Sequence, residues 1–459
     1  MRHSITFRSD DFEILKAHLF PPSVLRERAA YLICRTSTSS DETRLLVREV
    51  ITVETHETLE SSAAHMSIKS TSFMRAMKIA QTRKSAFVFV HSHPGGLTEF
   101  SRQDDLEEKK LFATAYTRID RKGPHASLVM ASPGSIKGRV WRADGSHIAL
   151  DSIRVIGARF QFFNSGEAQP DERYDRQVRA FGGGVQGVLS NLKIGVVGAG
   201  GTGSAVAEQL IRLGVGTLYV FDGDKLDDSN LTRVYGSGRE QVGKKKVRIV
   251  EASANRIGLG TSVIPVEKPI TFRSAAELLK NCDVVFGCTD DQWGRSILTR
   301  LALYYYIPVF DMGVRIDSEH GLVRSVQGRV TTLMPGNACL FCRRRLDPNT
   351  VASESIAAAD PVAATQLRRE GYIPEVDTAA PAVISFTTAV ASWAVCEFLH
   401  RLTGFMTNER TSTEVLFLFD QSRVRTNSVP SEAGCLCADQ SKFGRGDCDP
   451  LLDVTWPSE

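Results

Sequence analysis

No apolar run in this chain approaches the length needed for a helix to span a membrane, so no membrane-spanning helix is expected. The opening stretch, "MRHSITFRSDDFEILKAHLF", lacks the apolar core of a signal peptide, and a cytoplasmic protein with no membrane partner is expected. An excess of one charge is also missing. The 56 basic side chains against 53 acidic ones leave +3, whereas a nucleic-acid binder carries a larger surplus gathered on one face, so no nucleic-acid partner is expected. There is no internal repeat and no low-complexity tract. Cysteines number nine, an odd count scattered along 459 residues, which fits a reducing compartment better than a disulfide framework. The remainder is ordinary for a globular protein, 42% apolar and 24% charged, and the length allows two or three domains with full cores.

The polar stretch "FNSGEAQPDERYDRQ" carries Gly and Pro and predicts a linker over residues 163–171, between domains at 1–162 and 172–459. Before it, short apolar runs such as "LLVREVITV", "SAFVFV" and "ASLVMAS" stand among helical stretches, an α+β pattern. After it, strand-like runs ("LKIGVVGAG", "GTLYVFDGD", "CDVVFGCTD", "IPVFDMG") alternate with helical segments. That alternation predicts an α/β domain with a mainly parallel sheet and helices on both faces. The tail "SKFGRGDCDPLLDVTWPSE" is expected to be loosely held.

Within "AFVFVHSHPGGLTEFSRQDD", Ala86 to Val90 is too short for a helix and rich in Phe and Val, so it reads as a buried strand. His91 and His93 follow at its end, two apart and therefore on one face. Pro94-Gly95-Gly96 turns the chain, and a polar, helix-like stretch opens with Ser101-Arg-Gln-Asp104. Such an order could put two imidazoles and one carboxylate around a single metal ion.

The register His91-x-His93, seven residues, Ser101, two residues, Asp104 resembles the JAMM (MPN-type) metallopeptidase motif, carried on an α+β, cytidine-deaminase-like fold. The resemblance implies zinc held by His91, His93 and Asp104, with water in the open fourth position at a pKa of about 7. It also implies a glutamate base far upstream, just before an apolar strand. Glu27 of "RERAAYLIC" stands in that setting, with Glu49 and Glu54 as rivals. Ser101 would donate to the developing oxyanion, a role worth about 3 kcal/mol. Asp105 is a rival for Asp104, and His56 and His65, in polar surroundings, read as surface residues.

In the second half, "IGVVGAGGTGSAVAEQLIRLGVG" follows a strand and opens a helix, so Gly198, Gly200 and Gly203 complete a G-x-G-x-x-G pattern suited to phosphate at a helix N-terminus. Alone it would equally suggest NAD or FAD, and Asp222 at the end of the next strand fits a ribose hydroxyl in either reading. The surrounding motifs "ERYDRQVRAFG", "FDGDKLDDSNLTR", "VGKKKV", "FGCTDD" and "CLFC" together resemble the ThiF or ubiquitin-activating (E1-like) adenylyltransferases, over about Arg173 to Cys437. That resemblance implies a Rossmann-like fold and an ATP site. Gly201 would back the nucleotide, Asp222 would hold the ribose, and Asn230, Arg233 and Lys246 would contact phosphates, with Asp224 and Ser229 beside them. Asp290 would bind magnesium, and Arg176 would reach the γ-phosphate from a second copy, which implies a homodimer. Lys244 and Lys245 read as surface charges.

Cys339-Leu-Phe-Cys342 has the spacing of a metal-binding knuckle, and Cys435-Leu-Cys437 is a second pair; four sulfurs would make a closed structural zinc site. Relatives place two residues inside the second pair, so Cys448 is an alternative ligand. Cys34, Cys282, Cys288 and Cys396 lie in apolar runs and read as core.

One chain would thus combine a peptidase for ubiquitin-like C-termini with an enzyme that activates them. The expected function is a bacterial-type ubiquitin-like modification protein that adenylates the C-terminal glycine of its partner and trims or deconjugates it. Activation and processing of a sulfur carrier is the alternative, and a catalytically dead scaffold is a third reading that the complete residue set opposes. Expected partners are a ubiquitin-like or sulfur-carrier protein and a conjugating enzyme or sulfur donor. Many relatives hold the activated partner on a cysteine in the segment that here runs from Arg343 to Val383 and contains none, so the chain is expected to stop at the acyl-adenylate.

Overall fold

A computed structural model describes the chain except residues 23–24, 63–64, 120–122, 132–133, 165–170, 361, 363–364, 367–380, 408–409, 411 and 459. It divides into two compact units, Met1–Gly166 with Phe443–Asp447, and Glu167–Lys442 with Cys448–Glu459. Most of the expected linker falls outside the described residues.

The first unit contains the strands β1 (Arg2–Arg8), β2 (Ala29–Thr38), β3 (Glu42–Thr52), β4 (Thr58–Ser61), β5 (Met66–Ile68), β6 (Ala86–His93), β7 (His125–Ala131), β8 (Ser135–Trp141), β9 (His147–Ala149), β10 (Ser152–Ile156) and β11 (Gln161–Asn164). Among the described residues three α-helices join them: α1 (Ser9–Leu19), α2 (Ser70–Thr82) and α3 (Arg102–Arg118). Nine strands form one mixed sheet in the order β11-β10-β1-β3-β2-β6-β7-β8-β9, and β4 and β5 make a separate hairpin. Phe163, expected in the linker, instead pairs with Ile153 in β11, because the strand carries its ladder two residues past the polar boundary.

Strand periodicity sorts the core. Ala86, Val88 and Val90 pack with Phe12 and Leu15 of α1, whereas Phe87 and Phe89 face Met77 of α2 and Phe112 of α3. His91 and His93 continue the Phe87–Phe89 face, and the Phe89 ring stacks on His91 with centroids 5.6 Å apart.

The second unit opens with α4 (Asp175–Phe181) and α5 (Gly183–Asn191). Then come β12 (Lys193–Val197), α6 (Gly201–Arg212), β13 (Thr217–Phe221), α7 (Lys246–Ile257), β14 (Ser262–Val266), α8 (Arg273–Leu278), β15 (Val284–Gly287), α9 (Gln292–Tyr305) and β16 (Val309–Glu319). It continues through β17 (Leu322–Leu333), α10 (Pro348–Ala359), α11 (Ile384–Thr403), β18 (Glu414–Leu418) and β19 (Arg423–Asn427). The sheet runs β14-β13-β12-β15-β16-β17-β18-β19, parallel through β16 and antiparallel beyond it. Strand order therefore reverses between β12 and β15, where a crevice opens beyond the carboxyl ends of the strands.

The tail corrects its expectation. Leu451, Leu452 and Val454 are buried, and the Tyr304 hydroxyl donates to Asp453 Oδ2 at 2.8 Å. Burial of three aliphatic side chains is enough to hold a segment that polar composition alone marks as loose. Among the described residues no helix is long and apolar enough to cross a membrane.

Candidate functional site

In the first unit β6 carries His91 and His93 to the mouth of a cleft of about 630 Å³. The chain then turns at Gly96, whose φ of +91° suits glycine, and enters α3. Ser101 caps that helix. Its Oγ accepts from Asp104 N at 3.1 Å, and Asp104 Oδ2 accepts from Ser101 N at 2.6 Å. This reciprocal box points Asp104 at the histidines: His91 Nε2 lies 3.4 Å from Oδ1 and His93 Nε2 lies 3.8 Å from Oδ2. Capping leaves the Ser101 O–H able to donate, and Ser101 lines the cleft. Asp105, the rival, is taken up by Arg139.

Glu27 sits just before β2, with Oε1 3.9 Å from His93 Nε2. Its backbone is held on both sides, since Glu27 N donates to Ser62 O at 2.7 Å and the Ser61 hydroxyl donates to Glu27 O at 2.8 Å. Ser92, between the two histidines, is fully buried, and its Oγ accepts from Arg28 N at 2.9 Å, which ties β6 to the residue beside Glu27. The rivals face elsewhere: Glu49 pairs with Arg83, and Glu54 accepts from Thr52 Oγ1 at 2.8 Å. Burial pushes the Glu27 carboxyl above its ordinary value. Burial would raise Asp104 too, but His91 and Ser101 outweigh it and hold that carboxyl well below the usual range.

The donor set fits a metal ion. Ligand atoms of His91, His93 and Asp104 all lie within 4.8 Å of one another, and the two Nε2 atoms are 3.1 Å apart. His93 Nδ1 lies 2.9 Å from Leu97 O, so it carries the proton and leaves a lone pair on Nε2. Two nitrogens and an acidic oxygen with one side open to the cleft suit a divalent cation with a vacant position. His65, read as a surface residue, is exposed and lines the same cleft. Sequence reasoning missed Ser92 and Glu108. Only the i,i+4 spacing of Glu108 from Asp104, which puts both on one helix face, could have drawn attention to the second.

In the second unit the glycine turn lies at the sheet's reversal point. Gly198 has φ +91°, and a Cβ there would come within 2.8 Å of Cys288 O. Gly203 lies over Gly198 O with no room for a side chain, so its role is close packing of α6 on the turn. Gly198, Gly200 and Gly201 line the cleft, and the N-terminus of α6 opens onto it. Asp222 accepts from Ala199 N and Asp224 N, both at 2.7 Å, and burial pushes its carboxyl up. The side chain of Arg233 crosses Gly201, and Lys246 Nζ pairs with Asp224 at 2.8 Å; all four of these residues reach the cleft wall. Of the adjacent aspartates, Asp291 caps α9, whereas Asp290 is exposed at the cleft.

Asn230 and Ser229 are not brought to this cleft. Asn230 turns back, its Oδ1 accepting from Asp227 N at 3.3 Å to close a short helical turn, and Ser229 sits in that turn. Neither lines the cleft. Arg176, expected to act from a second copy, is exposed on α4. Glu354 and Arg295 do line it and were missed; burial pushes the Glu354 carboxyl up, and it accepts from Trp293 N at 2.7 Å. Cys288, expected in the core, is half-buried on the cleft wall because β15 ends there, and Cys396 is also only half-buried. The cysteine-free segment Arg343–Val383 lies partly outside the described residues.

Cys339, Cys342, Cys435 and Cys437 gather their sulfurs into one cluster, with Cys339 3.5 Å from Cys435 and Cys342 3.5 Å from Cys437. Four thiols at these separations fit a closed tetrahedral ion. Cys448 is not among them; its thiol faces Pro450 O at 3.3 Å.

The ThiF family profile matches residues 174–437, and the profile of prokaryotic homologs of the JAB domain matches residues 23–144. The chain is 31% identical over 173 residues to the SAMP-activating enzyme E1 of Haloferax volcanii, covering 37% of this chain and 61% of that one. It is 34% identical over 173 residues to the adenylyltransferase and sulfurtransferase uba4 of Aspergillus clavatus, covering 37% and 35%. It is 29% identical over 178 residues to the molybdopterin-synthase adenylyltransferase of Escherichia coli, covering 38% and 68%. The matched part thus spans about three-fifths of the first of these relatives and about a third of the second.

Proposed function

Because the chain belongs to the ThiF family and carries a JAB-type domain ahead of its ThiF domain, we propose that it adenylates the C-terminal carboxylate of a ubiquitin-like or sulfur-carrier protein and cleaves at the same kind of tail. The observation that carries this reading is the crevice between β12 and β15, where the glycine turn, Asp222, Arg233, Lys246 and Asp290 converge.

In the adenylation step a carboxylate oxygen of the partner attacks the α-phosphorus of ATP. The bond to the β-phosphate oxygen breaks, and pyrophosphate leaves with its electron pair. Arg233 and Lys246 offset the charge that gathers on the phosphates, and backbone N–H groups at the start of α6 add to them. Asp222 accepts from the ribose. Asp290 would hold magnesium, which would neutralise further phosphate charge.

In the first unit His91, His93 and Asp104 would hold zinc, which would supply Lewis acidity toward the scissile carbonyl. Glu27 faces that ligand set and is the group available to take a proton from water and return it to the leaving amine. The Ser101 hydroxyl would donate to the oxyanion. The homodimer, with Arg176 acting across it, remains part of the proposal and rests on the family resemblance.

ATP–pyrophosphate exchange with small proteins ending in Gly-Gly tests the reading. Exchange should appear with the cognate partner and vanish when its last two residues are removed. Exchange indifferent to the tail, or none with any such protein, would overturn it.

A further inference from the structure

Glu108 lies one turn beyond Asp104 on α3, is 2% exposed and has no part in the steps above. One of its oxygens is fully engaged. Oε2 accepts from Arg139 Nε at 3.0 Å, Arg139 Nη2 at 2.8 Å, Trp141 Nε1 at 3.1 Å and the Ser127 hydroxyl. Those donors come from β7 and β8, and the Arg139 guanidinium is itself pinned over the Phe100 ring, 3.9 Å from its centroid. The orientation of the carboxylate is therefore set from the sheet side.

Among the described residues the other oxygen, Oε1, is buried with no hydrogen-bond partner, and so is His91 Nδ1. The two atoms face each other at 3.8 Å. A buried polar atom left unpaired costs about 1–3 kcal/mol, and a displacement of about 1 Å would join this pair in a hydrogen bond. A neutral imidazole carries its proton on one nitrogen and a lone pair on the other.

We infer that Glu108 is a positioning residue for the metal centre: Oε1 accepts the Nδ1 proton of His91 and so fixes the lone pair on Nε2, toward His93 and Asp104. Arg139 belongs to the same device, because without its two bonds the carboxylate could turn away. The inference rests on the reading of His91, His93 and Asp104 as metal ligands.

Glu108→Gln in the full chain tests it. The amide oxygen is drawn to the Arg139 and Trp141 donors, so the NH2 faces His91 Nδ1, which must then accept. The ring proton moves to Nε2, where a metal would bind. Zinc affinity at the histidine site should fall roughly 10–100-fold in chelator competition, while zinc at the cysteine cluster, an internal control, stays put. In metal-free protein, ¹⁵N spectra of selectively labelled histidine should show neutral His91 with its proton on Nδ1 in the wild type and on Nε2 in the variant.

Unchanged affinity with an unchanged tautomer would overturn the inference alone. So would a wild-type His91 protonated on Nε2, a result that holds however well the variant folds. Wild-type protein that takes up zinc only at its cysteines would overturn the metal reading, and the inference with it.

Discussion

The sulfur of Cys437 lies 3.5 Å from that of Cys342, a residue 95 positions earlier in the chain. The tight Cys435-x-Cys437 pair therefore completes the cluster without Cys448. A metal held there adds its binding free energy to folding. Cys437→Ser should lose that zinc and melt several degrees lower, whereas Cys448→Ser should keep both zinc content and melting temperature. Equal loss in the two variants would show that Cys448 is a ligand after all.

Among the described residues Glu27 is the carboxylate besides Asp104 that approaches His93, at 3.9 Å. Glu27→Gln should retain zinc at the histidine site and slow cleavage of a ubiquitin-like fusion by about 10²–10⁴-fold. Normal turnover in this variant would move the base elsewhere.

Asp290 and Asp291 are neighbours in different surroundings, the first exposed at the cleft and the second bonded to a helix start. Asp291 caps α9, so Asp291→Ala should lower stability by about 1 kcal/mol. Asp290→Ala should leave the melting curve alone and abolish pyrophosphate exchange. Exchange that survives in Asp290→Ala would remove the magnesium role.

Cys288 lies on the wall of the cleft between β12 and β15, and burial pushes its thiol up, away from the reactive thiolate. No cysteine occupies Arg343–Val383. Incubation with ATP and the cognate partner should therefore give no thiol-sensitive adduct of this chain on a non-reducing gel. A thioester mapped to any of the nine cysteines would contradict this.

Glu42 is buried between Arg44 and Arg154, each 2.9 Å away. Burial would raise its carboxyl, but the two guanidinium groups outweigh that and hold it well below the usual range. A depressed folded-state value means that the stabilisation is fully present above the unfolded value of about 4.3 and is lost as pH falls through the folded one. Glu42→Gln should cost the first unit about 3–5 kcal/mol at neutral pH, by removing the buried negative charge that the two guanidinium groups share, and should flatten the acid side of its stability curve. Denaturant titrations at pH 7 and pH 4 would reveal both effects.

Local chemistry made much of this protein legible in its residues. A strand's two-residue period put His91 and His93 on the face of Phe87 and Phe89, and the glycine pattern announced the tight turn between β12 and α6, because both follow from backbone geometry over a few neighbouring residues. The spacing from His91 to Asp104 is likewise local, so the grouping of these three side chains could be expected before any packing was known. Tertiary structure decided the matters that depend on contacts distant in sequence. It turned Glu27 to the histidines while Arg83 took Glu49, and it brought Glu108 under His91 through donors on β7 and β8. It folded Asn230 back on its own turn, seated Leu451 and Leu452 in a core, and closed four sulfurs with a one-residue spacer. Each of these outcomes is set by which side chain fills a space or satisfies a buried partner, and such partners are chosen by packing across the sheet rather than by the residues alongside.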